Sequence, residues 1–347
     1  MERQTATISL IMPTLNSGGH ISVALESVAA QTYKCAELIV VDSGSTDGTL
    51  GIIKTYKQGG LPIRVFSAPG LSPALARNTG LDATTGSHIA FCDSDDLMMP
   101  DMLETMLDTA TRTASDITVC DFDIVYLDRK IKAFSQLPNG HFNPVGSSII
   151  DYYYKFCAAP KPNNYVWSRL YRRDFLKKSC VRFPDVRYSE DHLFNLSLLF
   201  AEPKIAHVGR SLYAYIQHDN SVTRGHVRKG SHGQRFLEAF RTAAHTLKNS
   251  DSAIANPILG IYAYTRLKSI LFYARQADLP EAETSEAISV FIDDSTASTY
   301  LKMCIEQDYI GSYCLMHGLT PEHERALRNM LRACINKEPL PDMRQTF

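Results

Sequence analysis

His88-Ile89-Ala90-Phe91-Cys92-Asp93-Ser94-Asp95-Asp96 is the stretch on which the reading of this chain turns. Residues 89–92 are apolar without alternation, as in a strand buried on both faces, and the abrupt change to carboxylates marks where that strand ends. The same pattern recurs upstream. Ile8-Ser9-Leu10-Ile11-Met12 stops at Pro13, Leu38-Ile39-Val40-Val41 ends at Asp42, and Ile63-Arg64-Val65-Phe66 reads as a third strand. Residues 117–122 give a fifth strand downstream. Helical patterns lie between them, with apolar positions Ile21, Val23, Leu25 and Val28, a Thr46/Asp47 start running to about Tyr56, and a Ser72-Pro73 start running through Leu81. Another helix opens at Pro100.

Repeated strand–helix units with non-alternating strands imply an α/β fold with a Rossmann-like, mostly parallel sheet and helices on both faces. Right-handed crossovers bring every strand-to-helix loop to one edge, and ligands bind outside the carboxyl ends of such strands. That edge gathers residues 13–16, 42–47 and 93–96. Residues 126–160 read as hairpin and loop, 165–171 as a compact aromatic-basic segment, and 212–216 as strand-like. From about 230 onward only helical patterns appear, at 232–248, 256–275, 282–292, 298–316 and 321–335. A boundary near 226 divides an expected domain of 1–225 from a C-terminal helical extension, 226–347.

At 347 residues, 44% hydrophobic and 21% charged, the chain is globular rather than disordered, collagen-like or coiled-coil. The most apolar stretch, 258–274, is broken by Arg266 and Lys268, and the first residues do not read as a secretory signal. The expected location is therefore cytoplasmic. Eight cysteines without a C-x-x-C pair suit reduced, small apolar side chains; Cys304, Cys314, His317 and His323 match no zinc spacing, which favours helix packing. Residues 1–115 hold 7 Lys and Arg against 12 Asp and Glu, a net of −5, whereas 160–248 hold 16 against 7, a net of +9. The basic segment suits a phosphate-bearing or membrane-surface partner, or simply a solvated face. No nucleic-acid module is recognisable, so nucleic acid is not an expected partner.

Asp93 and Asp95, two apart in an extended segment, can face one pocket, and hard carboxylate oxygens suit Mg²⁺ or Mn²⁺ shared with substrate phosphates. The alternative is that Asp96 and its neighbours cap the following helix. Asp42 could hold a ribose in a dinucleotide fold, but that needs a G-x-G-x-x-G, and the loop after the first strand is Pro13-Thr14-Leu15-Asn16-Ser17-Gly18-Gly19. A P-loop and a G-x-S-x-G elbow are likewise missing from the sequence, so hydride transfer, P-loop phosphoryl transfer and serine-hydrolase chemistry drop away.

In this order, ISLIMPTLN, ELIVVDSGSTDGT, ALARNTGLDATTG, HIAFCDSDD, VWSRLY and SEDHLF resemble family 2 glycosyltransferases of the GT-A fold, strongly over about 1–125 and moderately over 160–225. The resemblance implies inverting transfer of a sugar from a nucleotide diphosphate sugar, usually a UDP-sugar, with a divalent metal, Mg²⁺ or Mn²⁺. It places Pro13, Thr14 and Asn16 around the nucleobase and Asp42 near uracil, with Ser43 where the family often has a second Asp. Arg77 falls near the donor phosphates or nucleoside, the alternative being helix-surface pairing. Asp93 and Ser94 fall at the ribose and donor sugar, Asp95 at the metal, and Asp191 at the catalytic base. His218 falls where some relatives place a His near metal or diphosphate, the alternative being an exposed loop His.

Chemically, a metal would neutralise the leaving diphosphate, and Asp191 would take the acceptor's proton, kept charged by the start of its helix. Trp167 could form an acceptor platform or core packing. The expected acceptor is a glycan or lipid-linked oligosaccharide of surface polysaccharide synthesis, with peripheral membrane contact and oligomerisation through the C-terminal helices open. Two other readings are a sugar-nucleotide nucleotidylyltransferase, which would want a basic Gly-rich first loop, and a non-catalytic sugar-nucleotide-binding protein.

Overall fold

The computed structural model describes residues 6–126, 130–131, 138–159, 162–217, 232–276 and 279–338. The chain divides into two compact units. The first comprises residues 1–144, 163–185 and 190–218; the second comprises 145–162, 186–189 and 219–347. The division thus departs from a single cut near 226, because 145–162 and 186–189 group with the C-terminal helices.

The first unit is built on one sheet. Its strands are β1 (Ile8–Thr14), β2 (Glu37–Asp42), β3 (Ile63–Ser67), β4 (His88–Phe91), β5 (Leu97–Met98), β6 (Ile117–Val125), β7 (Lys130–Ile131), β8 (Gly140–Phe142), β9 (Arg169–Arg172) and β10 (Ile205–Ile216). The main order is β3-β2-β1-β4-β9-β6-β10-β5, with β7 on β6 and β8 on β10. β1 runs parallel to β2 and β4, β2 to β3, and β6 to β10. β9 is antiparallel to both β4 and β6. Helices α1 (Ile21–Ala29), α2 (Thr49–Gln58), α3 (Pro73–Ala83) and α4 (Met102–Thr113) connect the parallel strands. Ile8, Leu10, Leu38, Val40, Ala90, Phe122 and Leu170 belong to the buried core.

Two strands differ from the expectation. The aromatic-basic segment turns into the short antiparallel strand β9, whose buried Leu170 pairs with Ala90 on one side and Thr118 on the other. β10 begins at Ile205 rather than 212, because residues 205–208 also pair with β6, and the strand crosses an irregularity at Gly209 and Arg210 before pairing resumes at Ser211. α3 presses closely on β1: a Cβ at Gly80 would come within 2.5 Å of Ile11 Cγ2. That close approach fixes the height of Arg77, one turn earlier.

At the amino ends of the strands, Glu37 is buried. It accepts hydrogen bonds from Ser9 Oγ (2.6 Å), from the Thr85 amide and hydroxyl (2.7 Å each), and from Arg64. Burial would raise its carboxyl, but these donors outweigh it and bring it down to about 2.

The second unit contains the helices Ser148–Tyr152, His232–Leu247, Ser252–Gln276, Glu281–Ile292, Ser295–Glu306, Tyr309–Met316 and Pro321–Asn336. Phe240, Tyr262, Tyr264 and Phe291 are among its buried side chains. The expected single helix over 298–316 is broken where Asp308 takes a left-handed φ of 56° and its carboxylate pairs with Arg328. Cys304 and Cys314 are buried, while His317 Nε2 lies 2.9 Å from the Tyr154 carbonyl and His323 Nδ1 lies 2.8 Å from Thr320 Oγ1.

Glu37 yields a pH prediction. Its folded value lies below the ordinary 4.5, so its contribution is present above that pH and is lost as pH falls toward 2. Urea unfolding of Glu37→Gln should show a loss of about 3 kcal/mol at pH 7 that shrinks to about half by pH 3 and is nearly gone at about pH 2.

Candidate active site

Three loops meet at the carboxyl edge of the sheet. After β1, Asn16 adopts φ 49°; its amide donates to Ser45 Oγ (2.8 Å) and its side-chain carbonyl accepts from the Thr46 amide (2.9 Å). After β2, the buried Asp42 carboxylate accepts from the Gly44 (3.1 Å) and Ser45 (3.0 Å) amides, which folds that loop back on itself. The buried Thr14 hydroxyl donates to Ser17 Oγ (3.0 Å), and Ser17 Oγ lies 2.7 Å from Ser94 Oγ. Pro13, Thr14, Asn16 and Asp42 are therefore brought together at the adjoining ends of β1 and β2. The Ser94 hydroxyl, by contrast, is buried and bonded to Ser17, so it serves as a tie between loops.

The acidic run after β4 has three different carboxylates. Asp93 accepts from Arg77, Asp95 is half-buried on the same loop, and Asp96 is buried. Asp96 caps no helix, since α4 starts at Met102; it accepts from the Tyr213 hydroxyl (2.9 Å) and the Ile216 amide (2.8 Å) of β10. Burial, with the charges of Asp93 and Asp95 beside it, raises the Asp96 carboxyl well above its usual range. Trp167 is 2% exposed and stacked between Tyr165 (4.6 Å) and Tyr213 (4.3 Å). It is core, not an open platform for an acceptor.

Arg77 is the centre of the arrangement. Only 4% exposed, it is not a helix-surface residue. Nη2 donates to Asp93 Oδ1 (2.9 Å), and Nη1 donates to Glu190 Oε1 (3.1 Å) and lies 3.3 Å from Asp191 Oδ1. Its guanidinium lies 5.8 Å from the Phe183 ring, which stacks at 3.9 Å on Phe194 of α5 (Glu190–Leu199). Burial opposes the guanidinium charge, but Asp191, Asp93 and Glu190 outweigh it and raise Arg77 above its ordinary value.

α5 is held to β9 and the segment before it by Asn195, which accepts from the Tyr171 hydroxyl (2.8 Å) and donates to the Asn164 carbonyl (2.9 Å). This places the Val166 amide 3.2 Å from Asp191 Oδ2, to which it donates, whereas Asp191 Oδ1 is buried without an aligned hydrogen bond. Burial pushes the Asp191 carboxyl up to about 7, assisted by Glu190 and Asp93 and opposed by Arg77 and Val166. The expectation that a helix start keeps Asp191 charged is thus corrected: desolvation exceeds a dipole worth about 0.3–1 kcal/mol.

His218 lies outside the described residues. Among the described residues, no group of three or more His, Cys, Asp or Glu side chains could hold a metal by itself. The oxygen donors of Asp93 and Asp95 nevertheless fit Mg²⁺ or Mn²⁺ arriving with a diphosphate, because such ions need one or two carboxylates when phosphates supply the rest. The sequence reading assigned no role to Glu190, Phe183, Ser17 or Tyr213. Glu190 was visible beside Asp191; the other three carry no signal without the contacts.

The raised Asp191 carboxyl makes a stability prediction. Its neutral form is favoured by folding, so its contribution is full below about pH 4 and lost as pH rises through about 7. Asp191→Asn should therefore stay folded at pH 8, within about 1 kcal/mol of wild type or above it, by urea unfolding.

Residues 9–179 match the family model described as glycosyl transferase family 2. The glycosyltransferase YibD of Escherichia coli is 26% identical over 260 residues, covering 75% of each chain. The putative glycosyltransferase EpsH of Bacillus subtilis is 28% identical over 229 residues, covering 65% of each. Among solved structures, S. aureus TarS in complex with UDP-GlcNAc aligns with a TM-score of 0.70 and 19% identity, over 95% of this chain and 88% of that one, a likeness of fold. Over residues 9–179, about half of its length, the chain is thus similar to glycosyl transferase family 2.

Proposed function

We propose that the chain moves a sugar from a nucleotide diphosphate sugar, with UDP-sugars as the donor class, onto a hydroxyl of a glycan or lipid-linked oligosaccharide, with inversion at the anomeric carbon. The observation that carries this reading is the buried Arg77, which ties Asp191 to Asp93 across the carboxyl edge of the sheet. Residues 13–16 and Asp42 would take the nucleobase. Asp42 keeps acceptor capacity there, because a carboxylate offers about four lone-pair sites.

Asp93 and Asp95 would hold Mg²⁺ or Mn²⁺ with the donor diphosphate. The bound cation would supply Lewis-acid neutralisation of the leaving group. Asp191 is the proposed general base. Oδ1, which lacks an aligned donor, would take the acceptor hydroxyl's proton while the Val166 amide keeps Oδ2 in place. A carboxyl near 7 is a far better base than one near 4 and is still largely ionised at slightly alkaline pH.

Among the described residues no helix is long and apolar enough to cross a membrane, and contact with a membrane-borne acceptor is proposed to be peripheral. Part of the basic segment is already paired: Arg172 with Asp116, Arg182 with Asp82 and Arg210 with Asp101. Lys177 and Lys178 are exposed on the helix Arg173–Ser179 and are better candidates for that contact.

The test is mass spectrometry of UDP release across a panel of sugar nucleotides and glycan acceptors with Mn²⁺. Wild type should turn over, with a rate rising through about pH 7, and Asp191→Asn should lose about 10²–10⁴-fold in kcat. Asp95→Asn should lose turnover and metal-dependent donor binding, which Asp191→Asn should retain. A folded Asp191→Asn protein with near-full turnover would remove Asp191 from the mechanism, and consumption of pyrophosphate would point to nucleotidylyl transfer instead.

A further inference from the structure

The loop carrying Asp93, Asp95 and Asp96 places three carboxylates within four residues, so mutual repulsion works against a single arrangement. Tyr213, near the carboxyl end of β10 and fully buried, meets that loop twice. Its phenol oxygen accepts from the Asp93 amide (3.1 Å) and donates to Asp96 Oδ2 (2.9 Å). The other Asp96 oxygen accepts from the Ile216 amide (2.8 Å), so both ends of the acidic run are fastened to one strand.

The ring itself is immobilised. Trp167 stacks on it at 4.3 Å with 12° between planes, Tyr165 stacks on the far side of Trp167 at 4.6 Å, and Phe122 packs edge-on to Trp167 at 4.8 Å. On the backbone, Tyr213 is the register partner of Met98, just past the acidic run. A buried hydroxyl on a ring held by packing is a fixed point against which a short loop can be set.

We propose that Tyr213 is a positioning residue: its hydroxyl sets the Asp93 backbone and, through Asp96, holds the acidic run in the one arrangement that receives the donor diphosphate. The inference rests on the donor reading given above. Tyr213 acts through its neighbours and takes no part in bond making.

Tyr213→Phe keeps the ring and removes the hydroxyl. Two measurements on the full chain test it: amide hydrogen exchange without ligand, and calorimetric titration with UDP in MnCl₂. Exchange at the Asp93 amide should quicken about tenfold while β1 and β2 amides stay unchanged, as expected for loss of one hydrogen bond in a local opening. UDP affinity should fall about tenfold, and donor KM should rise more than kcat falls, because the bound group is misplaced rather than the base lost. If Tyr213→Phe fails to fold, Asp96→Asn carries the same two readouts. Unchanged Asp93 exchange would overturn the positioning role even if wild type binds UDP. Faster exchange with unaltered UDP affinity would overturn it equally. Wild type that binds no UDP would bring down the donor reading first and this inference with it.

Discussion

One buried guanidinium organises the candidate site. Arg77, on α3, stands where that helix meets the acidic loop and α5; the loop contributes one carboxylate to it and α5 contributes two. Three negative groups around one positive group leave an excess of negative charge unless a carboxyl is protonated or a further cation arrives. The first outcome is seen in Asp191, pushed up to about 7 chiefly by its own burial. The second is what a metal-bound diphosphate would supply. Arg77 thus does more than pair charges: it makes the protonation of Asp191 answerable to what happens at Asp93. Gly80 permits this by letting α3 lie against β1 closely enough to bury the guanidinium.

Carboxylates at the two edges of the same sheet behave oppositely, and the difference is one of donors. Glu37, at the amino edge, is surrounded by hydroxyls, an amide and a guanidinium, and stays ionised to about pH 2. Asp191 has one amide and a shared guanidinium, so desolvation prevails. Asp96 has two donors and two acidic neighbours and also rises. Burial alone does not set the sign; the count of hydrogen-bond donors relative to nearby charge does. The amino edge is arranged for stability, and the carboxyl edge keeps Asp191, whose carboxyl lies at about 7.

The strand–helix alternation was legible because buried parallel strands are apolar on both faces, a signal that survives without any partner in view. The three polar loops at one edge followed from handedness alone. β9 and the first half of β10 were hidden for the opposite reason: Arg169, Arg172 and His207 become strand residues only because neighbouring strands supply hydrogen bonds. Asp42 and Asp93 could be picked out as strand-terminal carboxylates. Ser94 could not be told apart as a scaffold hydroxyl, since its partner Ser17 is 77 residues away.

By itself, then, the sequence determined the fold class, the edge at which chemistry gathers and the carboxylates gathered there, since these follow from periodicity and from residue types at strand ends. Only the tertiary structure decided which carboxylate is a structural anchor, which is shared with Arg77, and which is raised toward neutrality. Those properties depend on desolvation and on donors within about 3 Å, and such distances are set by side chains brought together from segments far apart in the chain.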